Sequence, residues 1–194
     1  MDDAIRLGDS IDAMVVRGMG GQEQMDLCGR FHAWCNDKDG NLLWDDEFDN
    51  LVVTVGKNYA LDATLAASAL SAVGPFMGLI SSVGYSAIAA GDTMGSHAGW
   101  TEAGSTNAPT FAARLTTNGA WSAASAGSKS LSSARSFTMT GAGTLKGCFL
   151  VTGAGAVATL MDTNGTLFSA GLFSGGDRTV ASTDVVNVSY TLSA

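Results

Sequence analysis

Leu27-Cys28-Gly29-Arg30-Phe31-His32-Ala33-Trp34, with Cys35 behind it, runs into Asn36-Asp37-Lys38-Asp39-Gly40-Asn41 and then Leu42-Leu43-Trp44. The first run alternates: Cys28, Arg30, His32 and Trp34 fall on one face, and Leu27, Gly29, Phe31 and Ala33 on the other, which is the two-residue period of a half-buried strand. The second run carries an Asp-Gly pair among turn formers, and the third starts a return strand. Together they predict a β-hairpin.

Outward from the hairpin the pattern stays β. Leu51 to Val55 suits a strand or a helix entry. Tyr59, Leu61, Ala63, Leu65 and Ala66 lie in a run of good helix formers, so one helix is expected from about Val55 to Ala69, stopped by Gly74-Pro75. Phe76 to Ile80 reads as a buried strand. Further strands are expected at Thr110 to Leu115, Ser136 to Thr140, Thr144 to Val151, Thr166 to Phe173 and Val185 to Leu192. Gly, Asn, Ser and Asp punctuate them at sandwich spacing. The expected fold is therefore mainly β: an antiparallel β-sandwich or jelly-roll-like domain with one short helix. The domain spans 26–194, and residues 1–25 form an extended N-terminal arm.

The arm is polar, with Gly18, Gly20 and Gly21 near its end, yet Ile5, Leu7, Ile11, Met14, Val15 and Val16 are too apolar for a mere linker. We expect them to dock on a neighbouring subunit as an amphipathic helix or a strand. At 194 residues and 46% hydrophobic composition, burial of a real core is within reach. No apolar run approaches the roughly 18 residues that span a bilayer, and Asp2, Asp3 and Asp9 stand where an export signal would be basic and apolar. Three cysteines, Cys28, Cys35 and Cys148, make an odd number that argues for reduced thiols, with a Cys28 to Cys35 bridge as the lesser alternative.

The net charge of −8 is uneven. Residues 1–62 hold thirteen acids against Arg6, Arg17, Arg30, Lys38 and Lys57, which accounts for all of it. Beyond, five acids balance five bases. Phosphate binding needs clustered Lys and Arg, so a nucleic-acid partner is not expected. The acids serve solubility or face a basic protein surface.

His32 and His97 are the only histidines, which excludes most His-based sites by counting. Asp92, His97 and Glu102 share the loop Gly91-Asp92-Thr93-Met94-Gly95-Ser96-His97-Ala98-Gly99-Trp100-Thr101-Glu102. Neither H-x-H nor H-E-x-x-H spacing occurs there, and adjacent Ser96 and His97 cannot align as nucleophile and base. The loop is expected to be structural, with His97 and Thr93 bonded to backbone and Trp100 as an apolar anchor. Asp37, Asp39 and Asn41 have the alternate spacing of calcium-loop ligands, but Gly40 precedes Asn41 and no Glu closes the loop in EF-hand order. A metal-free turn is the preferred reading, with a weak calcium site adding Asp45, Asp46 or Glu47 as the other. Cys148 sits in an apolar strand, where burial is its expected fate. No cofactor, metal or catalytic group is assigned.

Asp37 to Trp44, Asn50-Leu51-Val52-Val53-Thr54 with Gly56-Lys57-Asn58 and Leu61-Asp62, Gly78-Leu79-Ile80-Ser81-Ser82, Asp92-Thr93-Met94, Ser96 to Glu102 and Leu172 to Val180 form a series. As a series it resembles small virion structural proteins of tailed bacteriophages, over about Asp26 to the C-terminus. The resemblance implies a non-enzymatic capsid decoration or cement protein that binds the major capsid protein or other virion proteins as a homo-oligomer. It implies localisation in the virion, assembled in the host cytoplasm, with neither nucleic acid nor membrane as partner. Interface residues are expected on the arm (Ile5, Leu7, Ile11, Met14, Val15), the acidic hairpin (Asp37, Asp39, Asp45, Asp46, Glu47) and the loop (Asp92, His97, Trp100, Glu102). A tail tube, adaptor or fibre-associated subunit is the alternative. A glycan-binding module using Trp34, Trp44, Trp100 and Trp121 is the third reading.

Overall fold

The computed structural model describes residues 27–65 and 73–194. The arm and its candidate residues Ile5, Leu7, Ile11, Met14 and Val15 lie outside the described residues, as does the expected helix end at 66–69. The elements run β1 (Cys28–Asn36), β2 (Leu42–Val52), α1 (Thr54–Leu65), β3 (Phe76–Ser81), β4 (Thr101–Glu102), β5 (Leu115–Thr116), β6 (Ser128–Ser130), β7 (Arg135–Thr138), β8 (Gly143–Thr152), β9 (Thr166–Leu172), β10 (Arg178–Val180) and β11 (Val185–Ser193). Among the described residues the fold is mainly β, with one short helix and a sandwich-like, open antiparallel sheet.

The predicted hairpin forms, and its alternation is visible in the burial: Gly29, Phe31, Ala33 and Cys35 point inward while Cys28 and Arg30 stay exposed. Gly40 takes φ +87°, a left-handed conformation that glycine enters without a Cβ clash. Asp37 completes the turn by accepting the Asp39 and Asn41 backbone N–H groups at 2.9 and 2.8 Å and the Asn41 side-chain amide at 2.9 Å. β2 is long because it serves two layers. Its first part pairs with β1 and its last residues, Asn50 to Val52, pair with β9. The sheet order is β4-β3-β8-β9-β2-β1-β11-β6, with β10 on β8, β5 on β3 and β7 on β11.

Between the layers lies one core, with Phe31, Phe48, Val186, Val188 and Tyr190 from one side and Met77, Leu79, Cys148 and Leu150 from the other. A second core forms on the opposite face of β3, β8 and β9, where Ile80, Phe149, Val151, Leu167 and Ala170 are covered by Met94 and Trp100 from the segment 82–100. With both faces buried, these strands carry continuous apolar runs in place of alternation. The register shift between Ile80 and Ser81 lets Leu145 and Cys148 share one core although they are three residues apart, and the shift between Leu150 and Val151 does the same for Leu167 and Ala170 in the other. α1 lies against β9 so closely that a Cβ on Gly56 would come within 2.1 Å of the Phe168 carbonyl oxygen.

One expectation needs correction. Thr110 to Leu115 is not a strand: only Leu115 joins one, and Thr110 makes isolated bridges to Gly104 and Gly141. The buried residues there are Phe111 and Arg114, three apart, and a strand would bury every second residue. Arg114 is turned inward to meet a buried carboxylate, a reason invisible to local pattern. All three cysteines are free, as the odd count argued, and the lesser alternative of a Cys28 to Cys35 bridge is set aside. Seven residues of strand separate the two by roughly 23 Å, and the odd spacing puts them on opposite faces.

Candidate functional site

The candidate side chains separate into an exposed acidic face and two buried polar clusters. On the outer face of β2, Asp45, Glu47 and Asp49 are exposed in a row. β1 supplies the cross-strand partners: Arg30 lies 3.5 Å from Glu47 and 3.9 Å from Asp49, and His32 Nε2 lies 2.9 Å from Asp45. Pairs this exposed contribute at most about 1 kcal/mol each, so the face stays available to a partner. The turn continues it with Asp37 and Asp39, the latter on Lys38 at 2.7 Å. Hydrogen bonds from the Asn41 side chain and backbone, and from Asp39, hold the Asp37 carboxyl below the usual carboxylate range. Its oxygens are thus occupied by the turn's own donors, where the calcium reading had placed a cation.

Asp46 belongs to the hairpin in sequence but not to this face. Pointing inward, it is 5% exposed and accepts from the Ser174 hydroxyl, the Gly175 N–H at 3.1 Å and Arg178 Nη2 at 2.7 Å. Arg178 also lies over the Trp44 ring, 5.7 Å from its centroid. The strand period itself sends Asp46 to the face opposite Asp45 and Glu47. Burial pushes the Asp46 carboxyl up, but the Ser174, Arg178 and Gly175 contacts outweigh it and leave the group below its ordinary value. A depressed folded-state pKa gives stability that is present above the unfolded value near ~3.9 and lost as pH falls through the lower folded value. Asp46→Asn is expected to lose part of its stability at neutral pH and to flatten the acid limb of a Tm-against-pH curve. An acid limb as steep as in the parent would remove Asp46 as its source.

The loop 91–102 folds into a cover over the second core. Trp100 is 1% exposed, packs 5.3 Å from Phe149 between ring centroids and donates Nε1–H to Asp92 Oδ2 at 2.9 Å. Asp92 Oδ2 also accepts the Ala89 N–H at 2.9 Å. His97 stacks on Trp100 at 3.9 Å, and its Nδ1 donates to the Trp100 carbonyl at 2.9 Å. Thr93 bonds through its backbone to Ser96. These contacts match the structural reading of the loop: turns closed locally and a tryptophan anchor.

Glu102 leaves the loop for the interior. Its carboxylate grips Arg114 at Nε and Nη2, both 2.8 Å, and accepts the Met161 N–H at 2.7 Å. Arg114 Nη2 donates further to the Asp162 carbonyl at 2.7 Å, and its guanidinium lies 5.6 Å from the Phe149 ring centroid. Both side chains are essentially inaccessible. Arg114 is the residue that pattern reading missed, and its only signal was a charge inside an apolar run.

The proposed interface set thus divides. Asp45 and Glu47 are exposed on the outer face of β2 and Asp39 on the turn, Asp37 is half-buried with its oxygens held by the turn, and Asp46, Asp92, Trp100 and Glu102 are buried, committed to internal partners. Of the four tryptophans, Trp44 and Trp121 pack on the first core and Trp100 in the second, leaving Trp34 on the β1 outer face beside His32. Four such placements do not build one sugar-stacking platform. Burial pushes the Cys35 thiol up to about 12, helped by Asp184 and Asp37, and raises Cys148 as well. Among the described residues, no cluster of three or more His, Cys, Asp or Glu side chains is arranged to hold a metal ion, and no helix is long and apolar enough to cross a membrane. Comparison with protein-family models, curated proteins and solved structures returned no match.

Proposed function

We propose that this chain is a non-enzymatic virion structural protein, a capsid decoration or cement protein that binds the major capsid protein shell through the acidic hairpin face. The observation that supports this reading is the exposed row Asp45, Glu47 and Asp49 on β2, with Asp37 and Asp39 in the adjoining turn. Five carboxylates there meet two basic side chains, Arg30 and Lys38, and the His32 imidazole, a formal surplus of three negative charges with His counted neutral. Such a face complements a basic patch, steers approach and fixes register. The titratable groups of the loop, by contrast, are spent on holding the cover to the sheet.

The test is the copy number of this chain in purified virions, measured by quantitative mass spectrometry against the major capsid protein. A ratio near one, or a simple fraction of it, is expected. A handful of copies would move the protein to the tail, and absence from virions would overturn the assignment. In parallel, Asp45→Asn with Glu47→Gln and Asp49→Asn is expected to abolish binding to capsid shells while lowering Tm by only a few °C, because the three exposed ion pairs it removes contribute at most about 1 kcal/mol each.

A further inference from the structure

Of the four arginines among the described residues, Arg30, Arg114 and Arg178 each meet a carboxylate. Arg135, the first residue of β7, meets none. It stands opposite the buried Val188 in the β7–β11 register, so its side chain leaves the strand on the inward face. There it is half-buried, and its Nε–H is shielded from solvent without an acceptor. Burying a guanidinium costs free energy that a carboxylate offsets, as Glu102 does for Arg114 and Asp46 for Arg178.

β7 also has a free edge. The Met139 N–H donates to the Asp184 carbonyl at 2.8 Å, toward β11, and the Thr140 N–H donates to the Thr110 carbonyl at 2.8 Å, away from it. Backbone groups alternate in direction along a strand, so those of Ser136 and Thr138 also point away from β11, and among the described residues no backbone group pairs with them there. They open into two adjoining clefts of about 330 and 200 Å³ that share Leu115 and Ser136. Arg135 and Thr116 line the first, and Phe111, Phe137 and Thr138 the second. Both walls, 110–116 and 134–138, and the chain 117–133 that joins them belong to the described residues.

We infer that the free edge of β7 is the docking site for an extended acidic segment of a partner protein, whose backbone pairs with Ser136 and Thr138 and whose carboxylate meets Arg135. Three properties of the edge fix that chemistry. Unpaired strand groups select an extended main chain. An unpaired guanidinium selects a carboxylate side chain. Phe137, packed edge to face on Phe111 at 5.1 Å, lies two residues from Arg135 on the same face, so an apolar residue two places from the acid completes the pattern. The inference is independent of the acidic hairpin face, which lies on β1 and β2.

The test titrates the full-length, isotope-labelled chain with the capped peptide acetyl-Val-Thr-Glu-Thr-Val-amide, with the same peptide carrying Gln for Glu, and with succinate. Saturable shifts of the Ser136 and Thr138 amide and Arg135 Nε–H resonances are expected with the Glu peptide, and roughly ten-fold weaker binding of the Gln peptide, because a charge-assisted contact is lost. Arg135→Gln is expected to bind the two peptides alike and to keep or raise Tm, since it gives up no ion pair. Absence of shifts at β7, equal binding of the two peptides by the parent chain, or a preference for Glu that survives Arg135→Gln would overturn the docking. Succinate moving the same resonances as tightly as the Glu peptide would make this a site for a free anion. Shifts at β7 that grow with chain concentration in the absence of peptide would give it to a second copy, and either result overturns the inference. Should Arg135→Gln fail to fold, the comparison of the two peptides on the parent chain still decides.

Discussion

Glu102→Ala is expected to cost about 3–5 kcal/mol of folding stability, because it leaves the Arg114 guanidinium buried without its counter-charge. Glu102 meets Arg114 through two 2.8 Å hydrogen bonds and also holds the Met161 N–H, so three donors lose their acceptor at once. Met161 sits at φ +64°, a left-handed conformation costly for a residue with a Cβ, and the Glu102 contact is part of what keeps it there. For a chain of this length the loss corresponds to a fall in Tm on the order of 10 °C. The double change Glu102→Leu with Arg114→Met removes both charges and is expected to recover most of it, since the desolvation of each ion disappears with it. Thermal melts of the two variants decide the matter. Equal Tm values would show that the loss arises from packing and not from the orphaned charge. Should Glu102→Ala fail to accumulate, the double variant still reports, because its recovery is the distinguishing result.

Trp100→Ala is the second large effect, at about 3–5 kcal/mol, as for other fully buried large aromatics. Here the loss has a location. Trp100 joins the cover 82–100 to Phe149 and the outer face of β8, so its removal opens a void in the second core and leaves the first in place. It also takes one donor from Asp92 and the stacking surface from His97. Hydrogen exchange is therefore expected to quicken most in 82–100, while β1, β2 and β11 amides keep their relative order of protection. Because Asp92 acts through Trp100, Trp100→Ala and Asp92→Ala together should cost less than the sum of the two. A loss under 1 kcal/mol, or uniform acceleration of exchange, would contradict the picture of Trp100 as the cover's anchor.

The exposed acidic face was legible because an exposed row needs only strand period and charge: Asp45 and Glu47 are two apart, hence on one face. The same period separates Asp46 from them, a distinction lost when the acids are counted as one patch. The loop was legible in role but not in partner. Glycines, a tryptophan and one histidine indicated closed turns and an anchor, whereas the destination of Glu102 depends on Arg114, twelve residues away across a region with the composition of a strand. Local pattern cannot see that pairing, because a buried ion pair is decided by whether a second charge arrives, not by what surrounds the first.

By itself, the sequence determined the β-hairpin around the Asp39-Gly40 turn, the common face of Gly29, Phe31 and Ala33, the helix after β2 and most of the later strands, because period and turn chemistry act over a few residues. Only the tertiary structure decided that β2 passes from one layer to the other, that β3, β8 and β9 are buried on both faces, that register shifts redistribute Leu145, Cys148, Leu167 and Ala170 between two cores, and that Arg114 turns inward. Those outcomes rest on contacts between segments distant in the chain, whose free energy no local window contains.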